Sequence, residues 1–279
     1  MQPLSPLLRR VYLVIFIILF CSIIPLAIFY ADGWRYQPGY GFVRTGGIFI
    51  SVPYPDATVS VNGIVIGESG FLEHSFYQGD LAPSAYIVHV DREGYRPWDR
   101  LLVVEEQLVT DTRTILIPEE IMATKLGLIA TSTPQASTST RMLARSLYNE
   151  YLALFAATTT ASTTIPIDEA DGVGLFLNKG KLVARWIQKN AFPPSHFCER
   201  PSVCANEIII EETQSVTAAR FFRSGVVYAT KEGRIVFAEI DVRETPLNIP
   251  LYTAKGTDFR IIDDTLVVKT GSILYQIEL

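Results

Sequence analysis

The sequence contains few residues of the types that carry out chemistry. Its 279 residues include only three cysteines and three histidines, and 24 lysines and arginines nearly balance 29 aspartates and glutamates. Because no block of five or six like charges occurs, nothing favours a nucleic-acid surface or a polybasic lipid-binding patch. The nucleophile elbow, the P-loop, HExxH, CxxC and the EF-hand loop are also absent. We therefore expect no catalytic residues, no cofactor, no metal site and no nucleic-acid partner.

Charge is missing altogether from one apolar stretch near the start. Residues 11–30 read VYLVIFIILFCSIIPLAIFY, without one charged side chain. A helix of this length rises roughly 1.5 Å per residue and so crosses a hydrocarbon layer roughly 30 Å thick. A core helix is rarely apolar on every face, and a cleavable signal peptide has a shorter apolar region that ends at small residues. The stretch therefore predicts a retained transmembrane helix in the lipid bilayer.

The charges that flank this helix predict its orientation. Arg9 and Arg10 directly precede it, whereas Asp32 is the first charged residue after it. Because positive residues stay on the cytoplasmic side, we expect residues 1–10 in the cytoplasm and the chain from residue 31 onward outside it. The sequence thus predicts a single-pass protein of the cell membrane, a signal-anchor protein with its bulk extracytoplasmic.

Residues 31–46 are rich in glycine and predict an extended juxtamembrane arm. No strong hydrophobic period runs through them. Tyr30, Trp34 and Tyr36 carry amphipathic rings of the kind that settle at the headgroup level of a bilayer. We expect the arm to act as a spacer, with these rings at the outer membrane surface.

From residue 47 to residue 118 the chain changes to short apolar runs separated by turn residues, the pattern of a small β-sandwich. Asn62-Gly63 supplies the two positive-φ residues of a type I′ hairpin turn between two of these runs. Strands are predicted at residues 48–52, 58–61, 64–66, 85–90, 100–104 and 112–117.

Three motifs in this region resemble those of the PEGA domain family and occur in the same order. They are residues 53–63 (PYPDATVSVNG), 81–90 (LAPSAYIVHV) and 93–98 (EGYRPW). They correspond to the family's opening turn and hairpin, its L-x-P-G-x-Y-x-V-x-V strand and its Gly-Tyr element. Asp56 and Ser84 stand where the family usually has Gly. Residues 67–70 (GESG) lack the Thr-Pro that the family usually has at this turn. The resemblance implies a non-enzymatic extracytoplasmic β-sandwich of a surface or envelope protein.

Residues 119–171 predict a linker with one helix. Segments rich in threonine, serine and alanine, which bury little surface, occupy residues 130–140 and 156–164. Between them, residues 141–155 place apolar side chains on one helical face, with Thr140 as the N-cap. We expect this helix either to pack against an adjacent β domain or to bind a partner or a second copy. Its apolar face consists of Leu143, Leu147, Tyr151, Leu154 and Phe155.

Residues 172–279 again consist of short strands, and a weak repeat relates them. A strand, a glycine-containing turn and a second strand recur at residues 176–183, 226–237 and 266–275. Offsets of roughly 40 to 50 residues are typical of propeller blades, but this length holds only about two or three blades and a closed ring needs about four. We therefore predict a propeller-like β meander, either a truncated ring or one completed by another chain. A plain β-sandwich is the alternative.

Cys198 and Cys204 enclose the loop CERPSVC in the part expected outside the cytoplasm. Two cysteines around a turn-forming proline in an oxidising compartment favour a disulfide, with free thiols as the alternative. Zinc would require about four ligands, and only His196 is nearby. Tyr95 and Trp98 form an aromatic turn that either fills the edge of the sandwich core or stacks on a sugar or peptide.

These observations predict a membrane-anchored, non-catalytic binding or structural module of the cell envelope that engages protein or glycan. The alternative is a membrane-bound hydrolase with its site in the C-terminal β domain. A hydrolase would be favoured by two carboxylates in a cleft of that domain, and a filled β core without such a cleft would favour binding. The acidic tetrapeptide at residues 168–171 is interpreted as a turn, with a loose calcium site as the alternative.

Overall fold

The structure is a computed structural model that describes residues 6–128, 140–156, 165–188, 191–213 and 215–279. It is mainly β, with one long apolar helix at its N-terminal end. Most of the two segments rich in threonine, serine and alanine lies outside the described residues, as do residues 1–5 of the expected cytoplasmic N-terminus.

Helix α1 is Pro6–Ala31, 26 residues that include Pro25, and none of its residues is buried. It is the one helix among the described residues that is long and apolar enough to cross a membrane. It begins before the predicted span and carries Arg9 and Arg10 in its early turns. It ends at Ala31, and Gly33, two residues later, has a positive φ of 84° that does not continue the helical path.

The juxtamembrane arm is not a plain extended connector. Strands β1 (Trp34–Gln37) and β2 (Gly41–Arg44) pair as an antiparallel hairpin. The sequence interpretation missed it because each strand has only four residues and the turn contains Pro38-Gly39, so no alternating pattern develops. The arm is therefore a folded element between the helix and the first β unit.

The first β unit, residues 46–113, is a two-sheet sandwich. One sheet has the order β6-β3-β9, with β3 and β9 parallel, and the other has the order β5-β4-β7-β8. Asn62 and Gly63 have φ values of 49° and 79°, which confirms the predicted hairpin turn between β4 and β5. The strands are β3 (Gly46–Ser51), β4 (Thr58–Val61), β5 (Ile64–Glu68), β6 (Ser75–Leu81), β7 (Ser84–Asp91), β8 (Trp98–Val104) and β9 (Val109–Arg113).

The sandwich core is formed by the inward residues of both sheets together with Leu116, which follows β9. Ile48, Ile50, Val88 and Leu102 are fully buried in one cluster. Strand β6 was not predicted, and the last predicted strand, residues 112–117, lies instead at β9. The apolar residues after it, Ile115 to Ile117, are buried outside any strand.

The later β strands form three larger sheets, of which the first two are antiparallel meanders and the third joins the meander β22-β23-β24 to two earlier strands. The first has the order β12-β13-β14-β17, the second β18-β19-β20-β21 and the third β11-β10-β24-β23-β22; β15 and β16 form a separate small hairpin. The strands are β10 (Met122–Leu128), β11 (Thr140–Leu143), β12 (Asp168–Ala170), β13 (Val173–Asn178), β14 (Lys181–Trp186), β15 (Cys198–Arg200), β16 (Val203–Cys204), β17 (Glu207–Glu211), β18 (Val216–Phe222), β19 (Gly225–Thr230), β20 (Arg234–Glu239), β21 (Asn248–Thr253), β22 (Thr257–Ile262), β23 (Thr265–Thr270) and β24 (Ile273–Glu278).

These three sheets pack face to face in chain order. Val226 and Tyr228 of β19 contact the first sheet, whereas Val227 and Ala229 of the same strand contact the third. The middle sheet is therefore buried on both faces, which explains why β19 has no polar alternation. The predicted repeat corresponds to the central hairpins β13–β14, β19–β20 and β23–β24 of the three sheets.

The predicted linker contributes to the third sheet. Strand β10 pairs with the last strand, β24, and β11 pairs with β10 in parallel. Helix α2 is Arg145–Leu154, shorter than the predicted 141–155, and its N-cap is Ala144 because Thr140 belongs to β11. Tyr148, Tyr151, Leu152 and Phe155 pack on the outer face of the third sheet, so the helix covers an adjacent β domain.

Candidate functional site

The sandwich and the three-sheet unit meet at the loop that follows β20. Leu247 in this loop packs against the sandwich core and also against the core between the second and third sheets. Ile115 and Ile117, which follow the sandwich's last strand, also lie in the core between the second and third sheets. The two β units therefore share buried apolar surface.

A buried charge network lies at this junction. Arg100 projects from β8 of the sandwich, and its side chain is 0% exposed. Its guanidinium donates to a carboxylate oxygen of Glu239 and to the backbone oxygen of Glu244, the latter at 3.0 Å. Arg243 donates to both carboxylate oxygens of Asp241, at 2.8 and 2.6 Å. Two buried cations and two buried carboxylates thus balance.

The geometry of the network explains how charges persist in this interior. Burial raises the pKa of the Glu239 carboxyl, while the nearby Arg100 charge and the Leu247 N–H act against that shift. The Leu247 N–H donates to the same carboxylate at 3.1 Å. Arg243 also donates to the backbone oxygen of Asp111 in the sandwich, at 3.2 Å. Buried charged groups of each unit are therefore hydrogen-bonded by polar groups of the other unit.

A cleft of about 330 Å³ opens beside this network, between the outer face of the sheet β6-β3-β9 and the three-sheet unit. Polar, charged and aromatic side chains share its lining, a combination typical of sites for polar ligands. Arg113 and Arg223 at the cleft make no side-chain ion pair with any residue in the described part of the chain. The side chains discussed below are those of Phe49, Asp111, Arg113, Asp171, His196 and Arg223.

His196 lies on the wall of the cleft, in a short 3₁₀ turn at Ser195–Phe197. Burial lowers the pKa of its imidazole, and the Arg243 charge acts in the same direction, while Asp241 opposes both. The backbone oxygen of His196 accepts a hydrogen bond from Val242 N–H at 2.9 Å. This hydrogen bond connects the cleft wall to the loop after β20, which carries Asp241 and Arg243 of the charge network.

Cys198 and Cys204 form a disulfide that closes the β15–β16 hairpin. The hairpin reaches the sandwich, where Ser202 donates through its backbone N–H and its hydroxyl to the carboxylate of Glu105, at 2.8 and 2.6 Å. A smaller cavity of about 220 Å³ lies between this hairpin and β9. The cysteines therefore have a structural role at the junction of the two units.

The aromatic turn divides between the core and the surface. Trp98 is 1% exposed within the sandwich core, so its ring is not accessible for stacking on a ligand. Tyr95 is partly buried beside Tyr54, at 6.1 Å between ring centroids, and Arg92 lies over its ring. The filling of the core edge is the role that the structure gives to Trp98.

The acidic tetrapeptide is mostly a strand. Residues 168–170 form β12, and only Asp171, with a φ of 50°, belongs to a turn. The Asp168 carboxylate accepts the Phe221 N–H at 2.8 Å, so it connects the first and second sheets. Within the described residues no group of three or more His, Cys, Asp or Glu side chains is placed to hold a metal ion.

The sequence interpretation missed the network and the cleft. Arg100 stands between Asp99 and Leu101 in an alternating strand, and its partner Glu239 is 139 residues away. No local pattern carries that pairing. No protein-family model matches the chain, and a search of curated proteins finds no match either.

Proposed function

We propose that the chain is a single-pass, membrane-anchored binding or structural module of the cell envelope, with its β units outside the cytoplasm. The observation that carries the proposal is helix α1, a helix of 26 residues, none of them buried, whose charged side chains are Arg9 and Arg10 near its start. A folded β body follows it directly. An exposed apolar helix of this length requires a nonpolar surrounding, and a bilayer supplies it. The arginines before the helix favour a cytoplasmic N-terminus.

The architecture of the β units supports the finer parts of the proposal. A sandwich of three plus four strands at residues 46–113 agrees with the PEGA-like motifs of this region. Three sheets pack in succession, and the meander of the last is extended by the two earlier strands β10 and β11. Successive packed sheets whose last member is completed from an earlier part of the chain support a propeller-like unit. In this interpretation α2 covers the face of the third sheet on which a further blade would pack.

The cleft between the two units is the proposed place of binding. Phe49 offers an aromatic edge, while Arg113 and Asp111 on β9 and Arg223 on the opposite wall offer charged groups. An open cleft with aromatic and mixed polar groups suits an extended polar polymer, either a peptide or a glycan, better than a small apolar ligand.

The geometry gives less support to a hydrolase, the second candidate. Such an enzyme needs two accessible carboxylates in its cleft. Glu239 and Asp241 border the cleft, but their side chains are only 4% and 3% exposed and each is paired with an arginine. Asp111 and Asp171 are the exposed carboxylates there. Their replacement by asparagine tests this candidate, because loss of a hydrolytic activity with binding retained would favour the enzyme.

Topology is tested by single cysteines in a Cys21→Ser background, because Cys198 and Cys204 are bonded to each other. Intact cells are treated with a membrane-impermeant maleimide. We expect Glu93→Cys to react and Gln2→Cys to react only after lysis. The reverse pattern, or recovery of the unlabelled protein in the soluble fraction, would refute the membrane-anchored proposal.

Binding at the cleft is tested by photocrosslinking in native envelopes. A photoreactive phenylalanine analogue replaces Phe49 in the cleft, and the control replaces Ile209, an exposed apolar residue of strand β17. We expect light-dependent adducts at position 49 in several-fold excess over position 209. Protease or glycosidase treatment of the adduct then identifies the class of ligand. Equal yields at both positions would count against the cleft as the binding site.

A further inference from the structure

The hairpin β1–β2 has one aromatic face and one polar face. In its register Tyr36 is opposite Phe42, and these side chains lie on the same face as Trp34. Arg35 and Gln37 lie on the other face. The faces follow from strand geometry, in which alternate residues point to opposite sides.

The aromatic face continues the surface of the transmembrane helix. Phe29 in the last turns of α1 stacks on Trp34 with ring centroids 5.1 Å apart, and it meets Phe42 edge-on at 5.8 Å. Phe42 in turn contacts Tyr36 at 5.5 Å. The hairpin therefore folds back beside the end of α1. Tyr36, Phe42 and the turn residue Tyr40 remain 67%, 63% and 62% exposed.

The polar face holds the sandwich. Arg35 forms an ion pair with Asp80 at 3.0 Å, and Gln37 donates to the backbone oxygen of Asp80 at 2.7 Å. At the edge of the aromatic face, Arg44 is opposite Trp34, lies over its ring and pairs with Asp32 at 2.6 Å. Gln107 donates to the backbone oxygen of Asp32 at 3.1 Å. Polar contacts thus connect the helix end, the hairpin and the sandwich.

We propose that the hairpin, residues 34–44, is a second membrane contact that lies in the outer headgroup layer and fixes the orientation of the sandwich relative to the bilayer. This inference rests on the proposed membrane anchoring. The occupant of the aromatic face is the lipid interface, because that face is continuous with α1 and because tyrosine and tryptophan rings favour that depth. The sandwich would then be held in one orientation instead of moving freely on a spacer.

Depth-dependent quenching tests this contact in lipid nanodiscs containing the full chain. Single cysteines in a Cys21→Ser background carry an environment-sensitive fluorophore, and lipids carry a quencher either near the headgroup or deep in the acyl chain. We expect Tyr40→Cys to be quenched several-fold more by the headgroup-level quencher than Leu72→Cys. Leu72 is the matched control because it is 90% exposed but precedes Ser75, which pairs with the far end of β3.

A third label separates the two ways of failing. Ile18→Cys lies in the middle of α1 and should be quenched by the acyl-chain quencher. If position 18 is not quenched, the proposed anchoring itself fails. If position 18 is quenched but position 40 behaves like position 72, only the hairpin contact is refuted.

The orienting role is tested with a fluorophore at Glu93→Cys, an exposed turn position of the sandwich. Time-resolved anisotropy reports the wobble of the sandwich relative to the nanodisc. Replacing Tyr36 and Phe42 by serine should increase the amplitude of that wobble at least two-fold. The control replaces Phe71 and Leu72, which are equally apolar and more exposed, and should leave it unchanged. An equal response of both variants would overturn the proposal.

Discussion

Neutralising one charge of the buried network should loosen the junction between the sandwich and the three-sheet unit. Glu239→Gln keeps the shape of the side chain and an oxygen that can accept the Leu247 N–H. It removes only the negative charge, so the Arg100 guanidinium, 0% exposed, faces a neutral amide. Removing one partner of a buried ion pair costs about 3–5 kcal/mol, and the lower end of this range is expected here because the Asp241 carboxylate remains 3.9 Å from Arg100. For a body of this size that corresponds to a decrease of roughly 6–20 °C in melting temperature.

A second substitution identifies the origin of the loss. Adding Arg100→Met removes the cation that has lost its hydrogen-bonded carboxylate, and replacing a whole buried pair with neutral side chains often changes stability little. We therefore expect the double variant to recover more than half of the stability that Glu239→Gln loses. The control is Glu207→Gln, which breaks the ion pair between Arg185 and Glu207. The two side chains are 2.7 Å apart and each is 44% exposed, so the variant should lose at most about 1 kcal/mol of stability.

The assay is thermal unfolding of the full chain in detergent, followed by circular dichroism, with limited proteolysis as a second readout. We expect Glu239→Gln to become susceptible to cleavage between the two β units below its melting temperature. If Glu239→Gln loses no more stability than Glu207→Gln, the network does not hold the two units together. If the double variant loses more stability than the two single variants lose together, the role assigned to the Arg100 charge is refuted.

Three further predictions concern the disulfide, one turn and one histidine. Replacing Cys198 and Cys204 by serine reopens a short loop and should lower the free energy of unfolding by about 2 kcal/mol, measured by urea denaturation; an unchanged midpoint would contradict it. Gly233 has a φ of 82°, and a Cβ added there would lie only 2.0 Å from a backbone oxygen, so Gly233→Ala should lower the free energy of unfolding by at least about 2 kcal/mol. Gly63 also has a positive φ but open space around it, so Gly63→Ala should lower the free energy of unfolding by about 1 kcal/mol. Similar losses for the two variants would disprove the steric argument. Burial lowers the pKa of His196, so at about pH 6 the unfolded chain takes up a proton that the folded chain does not. The free energy of unfolding should therefore fall as the pH drops below about 6.5. His196→Gln should flatten the plot of this free energy against pH between about pH 7 and pH 5.5, and an unchanged plot would exclude His196 as the source.

The sequence was most informative where local patterns decide the structure. The uncharged stretch at residues 11–30 lies within α1, and the turn at Asn62-Gly63 has the expected positive φ values. The central hairpins of the three C-terminal sheets also lie where the repeat predicted them. In each case the determinant is a run or a turn contained within a few residues.

What the sequence could not supply depends on distant partners. Strand β10 reads as a continuation of a polar linker, yet it pairs with β24, the last strand of the chain. Arg100 occupies an inward position that a pattern analysis assigns to an apolar residue, and its burial depends on Glu239 and Asp241 from the other β unit. The cleft has the same origin, because its two walls belong to different units. No window of a single sequence contains both halves of such a contact.

One turn of the sandwich connects helix α1 with the C-terminal unit. In the turn between β8 and β9, Gln107 donates to Asp32, which directly follows helix α1. Glu105, two residues earlier, accepts both hydrogen bonds from Ser202 in the disulfide-closed hairpin. The two ends of this polar path are thus only two residues apart in the chain. Because Arg100 lies on the strand that leads into the same turn, helix α1, the disulfide hairpin and the charge network are all connected to one short segment.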